Sequence, residues 1–177
     1  MHDKTWLFVY GSLLNHQSAA RVLGRPVGNY TPYCLRRAAL RWSSPQKVRL
    51  LSDHSVFVAS SLNIDLNAPE ERCAHGALLE VSCSEIANLL IRENGYSLIN
   101  IEERIAAEYP GRAYVFADLR HTARETVVMQ AYLERVLDGA ISQGEAFEAA
   151  YRLSLPTPKQ IIEGNFEFFD AAHQRLV

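Results

Sequence analysis

Apolar residues recur along this chain in three patterns: short unbroken runs, alternating runs and helical stripes. Trp6 to Tyr10 is an unbroken apolar run, which predicts a strand buried on both faces. Gly11-Ser12 ends it, and Asn15 offers an N-cap for a short helix over 17–23 that Gly24 and Pro26 close. Further strands are expected over Tyr33 to Trp42, Val56 to Asp65 (bent, or split in two), His75 to Val81, Tyr96 to Arg104 and Arg112 to Ala117. Lys47 to Leu51 fits a short strand or a loop edge. Gly28 to Pro32, Ser43 to Pro45, Asn67 to Glu71, Pro110-Gly111 and Asp118 to Thr126 carry turn or loop chemistry.

Helical periodicity appears in the middle and second half of the chain. Ser82-Cys83-Ser84-Glu85 is a capping box, and the helix it opens runs through Ile86, Leu89 and Leu90 to Arg92 or Glu93, where Asn94-Gly95 stops it. Tyr132, Leu133, Val136, Leu137 and Ala140 lie in helical phase within Met129 to Ile141. Glu145 to Leu153 resumes after Ser142-Gln143-Gly144, and Thr157-Pro158 has the chemistry to start a further short helical turn. About six or seven strands with about four helices are compatible with an α+β chain. No repeat or linker divides it, so residues 1–177 are expected to form one domain.

Composition narrows the classes. The 48% apolar content supplies a core, and a net charge of −2 gives no general attraction to nucleic acid or acidic membrane. No signal peptide or bilayer-length apolar run is present, and the three cysteines, Cys34, Cys73 and Cys83, form no CxxC pair. The expectation is reduced thiols in a cytoplasmic protein. The six histidines show no ligand spacing, so no metal site is expected. His75 reads as a surface or satisfied histidine. Arg36, Arg37 and Arg41 fit either an anion patch or a solvated strand face.

Two places carry candidate chemistry. After Tyr10 the Gly11-Ser12 bend leaves N–H donors without partners, a seat for a carboxylate; a plain strand-to-helix turn is the alternative. Glu93 stands seven residues after Ile86 and four after Leu89, on the apolar stripe and at the helix C-terminus. Both circumstances disfavour the charged form and make it a better proton acceptor near neutral pH. A frayed helix end that turns Glu93 to solvent is the alternative.

Three segments together resemble the γ-glutamylcyclotransferase family, including its ChaC-like and AIG2-like branches: Val9-Tyr10-Gly11-Ser12-Leu13, Arg92-Glu93-Asn94-Gly95-Tyr96, and the tyrosine-led stretch Tyr132 to Ala140 that ends in Gly-Ala. Order and spacing match from about Trp6 to Tyr151; the region after Leu153 matches nothing diagnostic. The resemblance implies a mixed β-barrel with flanking helices. It implies a cofactor-free enzyme that cyclises a γ-glutamyl group, its own α-amine attacking the side-chain amide to release 5-oxoproline and an amine. Glu93 would be the general acid and base. Val9, Tyr10, Gly11, Ser12, Leu13 and Tyr132 would hold the substrate, with Tyr96 and Tyr114 as further candidates. The partner would be a small γ-glutamyl compound, and a homodimer is compatible. Competing readings are Ser12 as a covalent nucleophile, a non-catalytic γ-glutamyl-binding module, and an interaction domain using Phe166 to Phe169.

Overall fold

The computed structural model describes residues 4–28, 30–120 and 127–169. Asn29, most of the expected polar loop 118–126 and Asp170 of the aromatic tail therefore lie outside the described residues. The fold is mixed α+β. A five-stranded sheet has the order β2-β5-β1-β7-β6, formed by β1 (Thr5–Val9), β2 (Thr31–Arg36), β5 (Cys73–Glu80), β6 (Ser97–Asn100) and β7 (Arg112–Ala117). β1 runs parallel to β7 and antiparallel to β5, so its unbroken apolar run has a strand on each edge, with Leu7, Phe8 and Val9 buried. A second sheet joins β3 (Ala39–Leu50), β4 (Val56–Asp65) and β10 (Phe166–Phe168) in the order β10-β3-β4. A third pairs β8 (Val128–Met129) with β9 (Ile161–Ile162). The helices are α1 (His16–Leu23), α2 (Cys83–Arg92), α3 (Glu102–Ile105), α4 (Gln130–Ile141) and α5 (Glu145–Ser154).

Among the described residues the sheets do not close into a barrel; β4 is joined to the segment before β8 by a single bridge between Ala59 and Val127. The main chain of Leu62 in β4 faces away from β3; its carbonyl accepts from the Tyr96 hydroxyl at 2.9 Å and its N–H donates to the Tyr132 hydroxyl at 3.3 Å. Asn63 bridges likewise to β7: its Nδ2 donates to the Asp118 carbonyl and its Oδ1 accepts from the Asp118 N–H, each at 2.9 Å. Side chains satisfy the backbone groups that a strand ladder would otherwise pair. The same arrangement puts two tyrosines between the sheets.

Several local expectations change for physical reasons. Tyr33 to Trp42 is two strands, because Arg37 turns into a left-handed conformation (φ 54°) and donates its N–H to the Arg72 carbonyl. Ser43 to Pro45 is not a loop: a register shift between Trp42 and Ser44 carries β3 on through Pro45 and Lys47 to Leu50. The strand expected over Tyr96 to Arg104 is only Ser97–Asn100, because the Asn100 Oδ1 takes the Glu102 N–H and turns the chain into α3. Thr157-Pro158 starts no helix; the chain there leads into β9. Phe166 to Phe168 form an edge strand on β3.

The thiols also differ from expectation. Cys34 and Cys73 stand diagonally across the β2–β5 ladder, Cα atoms 5.8 Å apart, and form a disulfide; Cys83 is free and exposed. His75, opposite Cys34, has its Nε2 at 3.6 Å from Cys73 Sγ, and burial holds its imidazole below the usual range. The ligand atoms of Cys34, Cys73 and His75 lie within 4.8 Å of one another, a grouping that sequence spacing hides. With the sulfurs joined, the thiolates a metal would need are not offered. No helix among the described residues is long and apolar enough to cross a membrane.

Asp118 stands at the seam between the sheets with a fully buried carboxylate. Burial pushes its carboxyl upward, but hydrogen bonds from Arg120 and Ser44, with the Arg120 charge, outweigh that and hold it below the usual carboxylate range. A depressed folded-state value stabilises the protein above the unfolded value, about 4, and that contribution is lost as pH falls through the folded value. Asp118→Asn is accordingly expected to flatten the acid side of a stability-versus-pH curve measured by urea denaturation. An unchanged acid limb would show that Asp118 does not drive it.

Candidate active site

β1 delivers Tyr10 to the bend, and its carbonyl and side chain are both tied down. The Tyr10 hydroxyl donates to the Phe116 carbonyl at 2.7 Å, and the Tyr151 hydroxyl donates to the Tyr10 carbonyl. Gly11 follows at φ −117°, ψ −137°, and Ser12 to Leu14 form one 3-10 turn, closed by the Leu14 N–H on the Gly11 carbonyl. The leading N–H groups of such a turn have no acceptor within it. Asn15 then caps α1, its Oδ1 accepting from the Ser18 N–H at 3.1 Å, as the sequence predicts.

α4 fixes the back of this turn. A Cβ built on Gly139 would stand 2.6 Å from the Asn15 nitrogen and 2.7 Å from the Leu14 carbonyl carbon. Main chain therefore packs directly on main chain, which accounts for glycine inside a helix. Exposed mid-helix Gly→Ala normally stabilises by about 1 kcal/mol. Here Gly139→Ala is expected to destabilise, by about 1–3 kcal/mol, because a backbone segment must move. Urea denaturation reads the sign directly.

The capping box forms at the start of α2: Ser82 Oγ accepts from the Glu85 N–H, and the Glu85 carboxylate accepts from the Ser82 N–H. Leu89 is fully buried, whereas Leu90 is 47% exposed, so the buried stripe runs through Leu89 to Glu93. Glu93 is the C-cap, its N–H still bonded to the Leu89 carbonyl, and its side chain is only 16% exposed. The frayed, solvent-facing alternative is not what the helix end does. Arg92 Nη1 donates to Glu93 Oε1 at 2.6 Å, and Arg92 Nη2 donates to Ser12 Oγ at 2.9 Å. One guanidinium thus ties the helix end to the bend.

Glu93 lines a two-lobed cavity open to solvent. One lobe lies under the bend and is walled by Val9, Tyr10, Gly11, Ser12 and Leu13 together with Leu62 and Phe116. The other is polar and gathers Ser18, Gln46, Ser61 and three arginines. Ser12, Glu93, Tyr96 and Tyr132 border both lobes. A wider groove elsewhere, about 1180 Å³ and lined by Arg41, Arg72 and Pro156 among others, contains none of the expected site residues.

Burial pushes the Tyr132 hydroxyl up to about 12, with Glu93 adding to the rise and the Leu62 N–H opposing it. Burial likewise raises Tyr96 well above its ordinary value, with Tyr132 and Glu93 contributing. Both hydroxyls therefore stay protonated at neutral pH. The Tyr96 proton is committed to Leu62, whereas the Tyr132 hydroxyl accepts from the Leu62 N–H and also has the Ser61 side chain within hydrogen-bonding reach. A Cβ on Gly11 would stand 3.5 Å from the Tyr132 hydroxyl oxygen, so that group faces the bend.

Eight of the nine expected residues line the lobe under the bend: Val9, Tyr10, Gly11, Ser12, Leu13, Glu93, Tyr96 and Tyr132. Tyr114 does not. The parallel register sets it beside Leu7, well before the bend, while Phe116, two residues on, reaches the cavity. Ser12 Oγ accepts from Arg92, and among the described residues no histidine lines either lobe, so these residues offer no activated serine. Sequence reasoning left out Arg92 as a working residue, together with Arg21, Arg135, Leu62 and Phe116. The signals were present for two of them: Arg135 stands three residues after Tyr132 and Arg21 three after Ser18, each pair on one helix face.

No protein-family model matches the sequence, and no curated protein matches it. Solved structures do. A protein described as a gamma-glutamyl cyclotransferase superposes with a TM-score of 0.59 at 15% identity, covering 88% of this chain and 90% of its own. The uncharacterized protein loc79017 from Homo sapiens gives 0.63 at 14% identity over the same shares. YkqA from Bacillus subtilis gives 0.51 at 19% identity, covering 87% of this chain and 56% of its own. The chain therefore has the fold of the γ-glutamyl cyclotransferases.

Proposed function

We propose that the protein is a γ-glutamyl cyclotransferase that converts a γ-glutamyl amide into 5-oxoproline and a free amine, with Glu93 as general base and then general acid. The observation that carries this reading is the enclosure of Glu93 in one cavity with the 10–13 bend and Tyr132. The substrate's α-carboxylate docks on the N–H groups of the bend, where Arg92 adds positive charge. Its α-ammonium points to Glu93, which takes one proton. The freed amine attacks the δ-carbonyl carbon of the same glutamyl unit, closing a five-membered ring; folding the chain into this near-attack shape is the main work of the pocket. Tyr132 supplies a hydrogen-bond donor to the oxygen on which negative charge develops. Glu93 then passes its proton to the departing nitrogen, the C–N bond of the amide breaks, and the carboxylate takes the second proton from the ring nitrogen and hands it to the freed amine, which leaves as an ammonium while the carboxylate is restored. The nucleophile belongs to the substrate, so no protein nucleophile is required.

The test is direct. Purified protein incubated with a γ-glutamyl amino acid, a γ-glutamyl amine and glutathione is expected to release 5-oxoproline from at least one of them. No product from any of the three removes the assignment.

A further inference from the structure

We propose that Cys34, Cys73 and His75 form a zinc site when the protein is reduced, with the Cys34–Cys73 disulfide as the oxidised, metal-free state of the same site. The ladder between β2 and β5 builds it. The antiparallel register sets Cys34 directly opposite His75, and Cys73 stands two residues before His75 on the same strand. Directly opposed side chains, and side chains two apart on one strand, share a face of the sheet. That face is the outer one. Leu35 and Ala74, the next pair along, are fully buried, whereas Cys34, Cys73 and His75 are each half-buried. The backbone therefore gathers the three side chains whether or not the sulfurs are joined.

The donor set suits zinc. Two thiolates and an imidazole are ligands that zinc binds together, in tetrahedral geometry. The three ligand atoms lie within 4.8 Å of one another, and His75 Nε2 stands 3.6 Å from Cys73 Sγ. With Zn–S about 2.3 Å and Zn–N about 2.0 Å, a tetrahedral ion holds a sulfur and a nitrogen about 3.5 Å apart. That edge of the site already has its metal-bound length. The two sulfurs must part to about 3.8 Å, which rotation of the cysteine side chains supplies once the S–S bond is open. The ion also has a way in. Cys73 and His75 border the wide groove that holds Arg41 and Arg72, and Cys34 and Cys73 border a second groove with Glu71 and Glu108. A water from either groove completes the fourth position.

The steps balance. A dithiol reductant opens the bond by exchange, giving two electrons and two protons to the sulfurs and closing its own disulfide. The two thiols release their protons as they bind Zn²⁺, and His75 supplies the Nε2 lone pair with its own proton on Nδ1. A sulfur bonded to sulfur offers no thiolate, so disulfide and metal exclude each other.

Cobalt is the probe. Protein reduced with a dithiol, desalted under argon and titrated with Co²⁺ is expected to develop a thiolate-to-cobalt charge-transfer band that saturates at one ion per chain and is bleached by Zn²⁺. Oxidised protein is expected to show no band. Cys83→Ser, which removes the free cysteine, should leave the band unchanged. Cys34→Ser should abolish it. His75→Asn should raise the Kd for Co²⁺ by at least about tenfold, the loss that even a partner of a ligand costs. His75→Asn keeps both cysteines, so it can be purified as the disulfide form, and circular dichroism after reduction checks that it stays folded. No band in reduced wild-type protein overturns the site. So does a band that survives both Cys34→Ser and His75→Asn, or one that vanishes in Cys83→Ser. Release of 5-oxoproline plays no part in this readout, so the zinc site and the cyclotransferase reading fail separately.

Discussion

Glu93→Gln is expected to lower kcat for 5-oxoproline release by about 10²- to 10⁴-fold, the usual worth of a positioned general acid–base group. The substitution is close to isosteric. Its amide oxygen can still accept from Arg92 Nη1, which stands 2.6 Å from Glu93 Oε1. The link from Arg92 to Ser12 Oγ is untouched, so the bend keeps its place. What the amide cannot do is take a proton from the α-ammonium or return one to the leaving nitrogen. The loss should therefore fall on kcat and leave KM within a few-fold, the pattern of a group needed in the transition state more than in the ground state. Glu93→Ala is less informative, because it also leaves Arg92 without its acceptor in a partly enclosed site. Turnover by Glu93→Gln equal to wild type would end the role given to Glu93, whatever the substrate.

The parts legible in the sequence are those that one element determines alone. Ser82 to Glu85 form their capping box, Asn15 caps α1, and the helical period carries Leu89 and Glu93 inward together. The tyrosine-led α4 sets Tyr132 into the cavity and Gly139 against the bend. What was not legible depends on long-range pairing. Arg92 follows Leu90 and Ile91 and looks like a solvated helix end until the bend is brought against it. Tyr114 sits in an apolar strand much like Phe116, and the β1–β7 register decides which of them reaches the cavity. The barrel expected from family resemblance is not what the described strands form: they make separate sheets, and between them the Tyr96 and Tyr132 hydroxyls bond the main chain of Leu62 while Asn63 bonds that of Asp118. The same two tyrosines border both lobes.

Reduction of the Cys34–Cys73 disulfide, or Cys34→Ser, is expected to lower the unfolding free energy by about 4 kcal/mol, the chain-entropy value for a crosslink between residues 39 apart in sequence. The topology explains why this bond is well placed. Residues 37–72 between the two cysteines hold β3 and β4, the main strands of the second sheet, and leave and rejoin the first sheet at β2 and β5. Among the described residues β2 is an edge strand that pairs with β5 alone, and in the unfolded chain the crosslink keeps the ends of that excursion together. A Cα separation of 5.8 Å lies in the ordinary range for a disulfide. Urea denaturation with and without reductant should show a lower midpoint for the reduced protein. It should also show a steeper denaturant dependence, because the freed chain exposes more surface on unfolding. Neither cysteine lines either lobe of the cavity, so turnover well below the melting range should not follow the fall in stability. Superimposable curves for the oxidised and reduced forms would mean that the β2–β5 ladder, with the Arg37 to Arg72 hydrogen bond beside it, already holds the two sheets together without the covalent link.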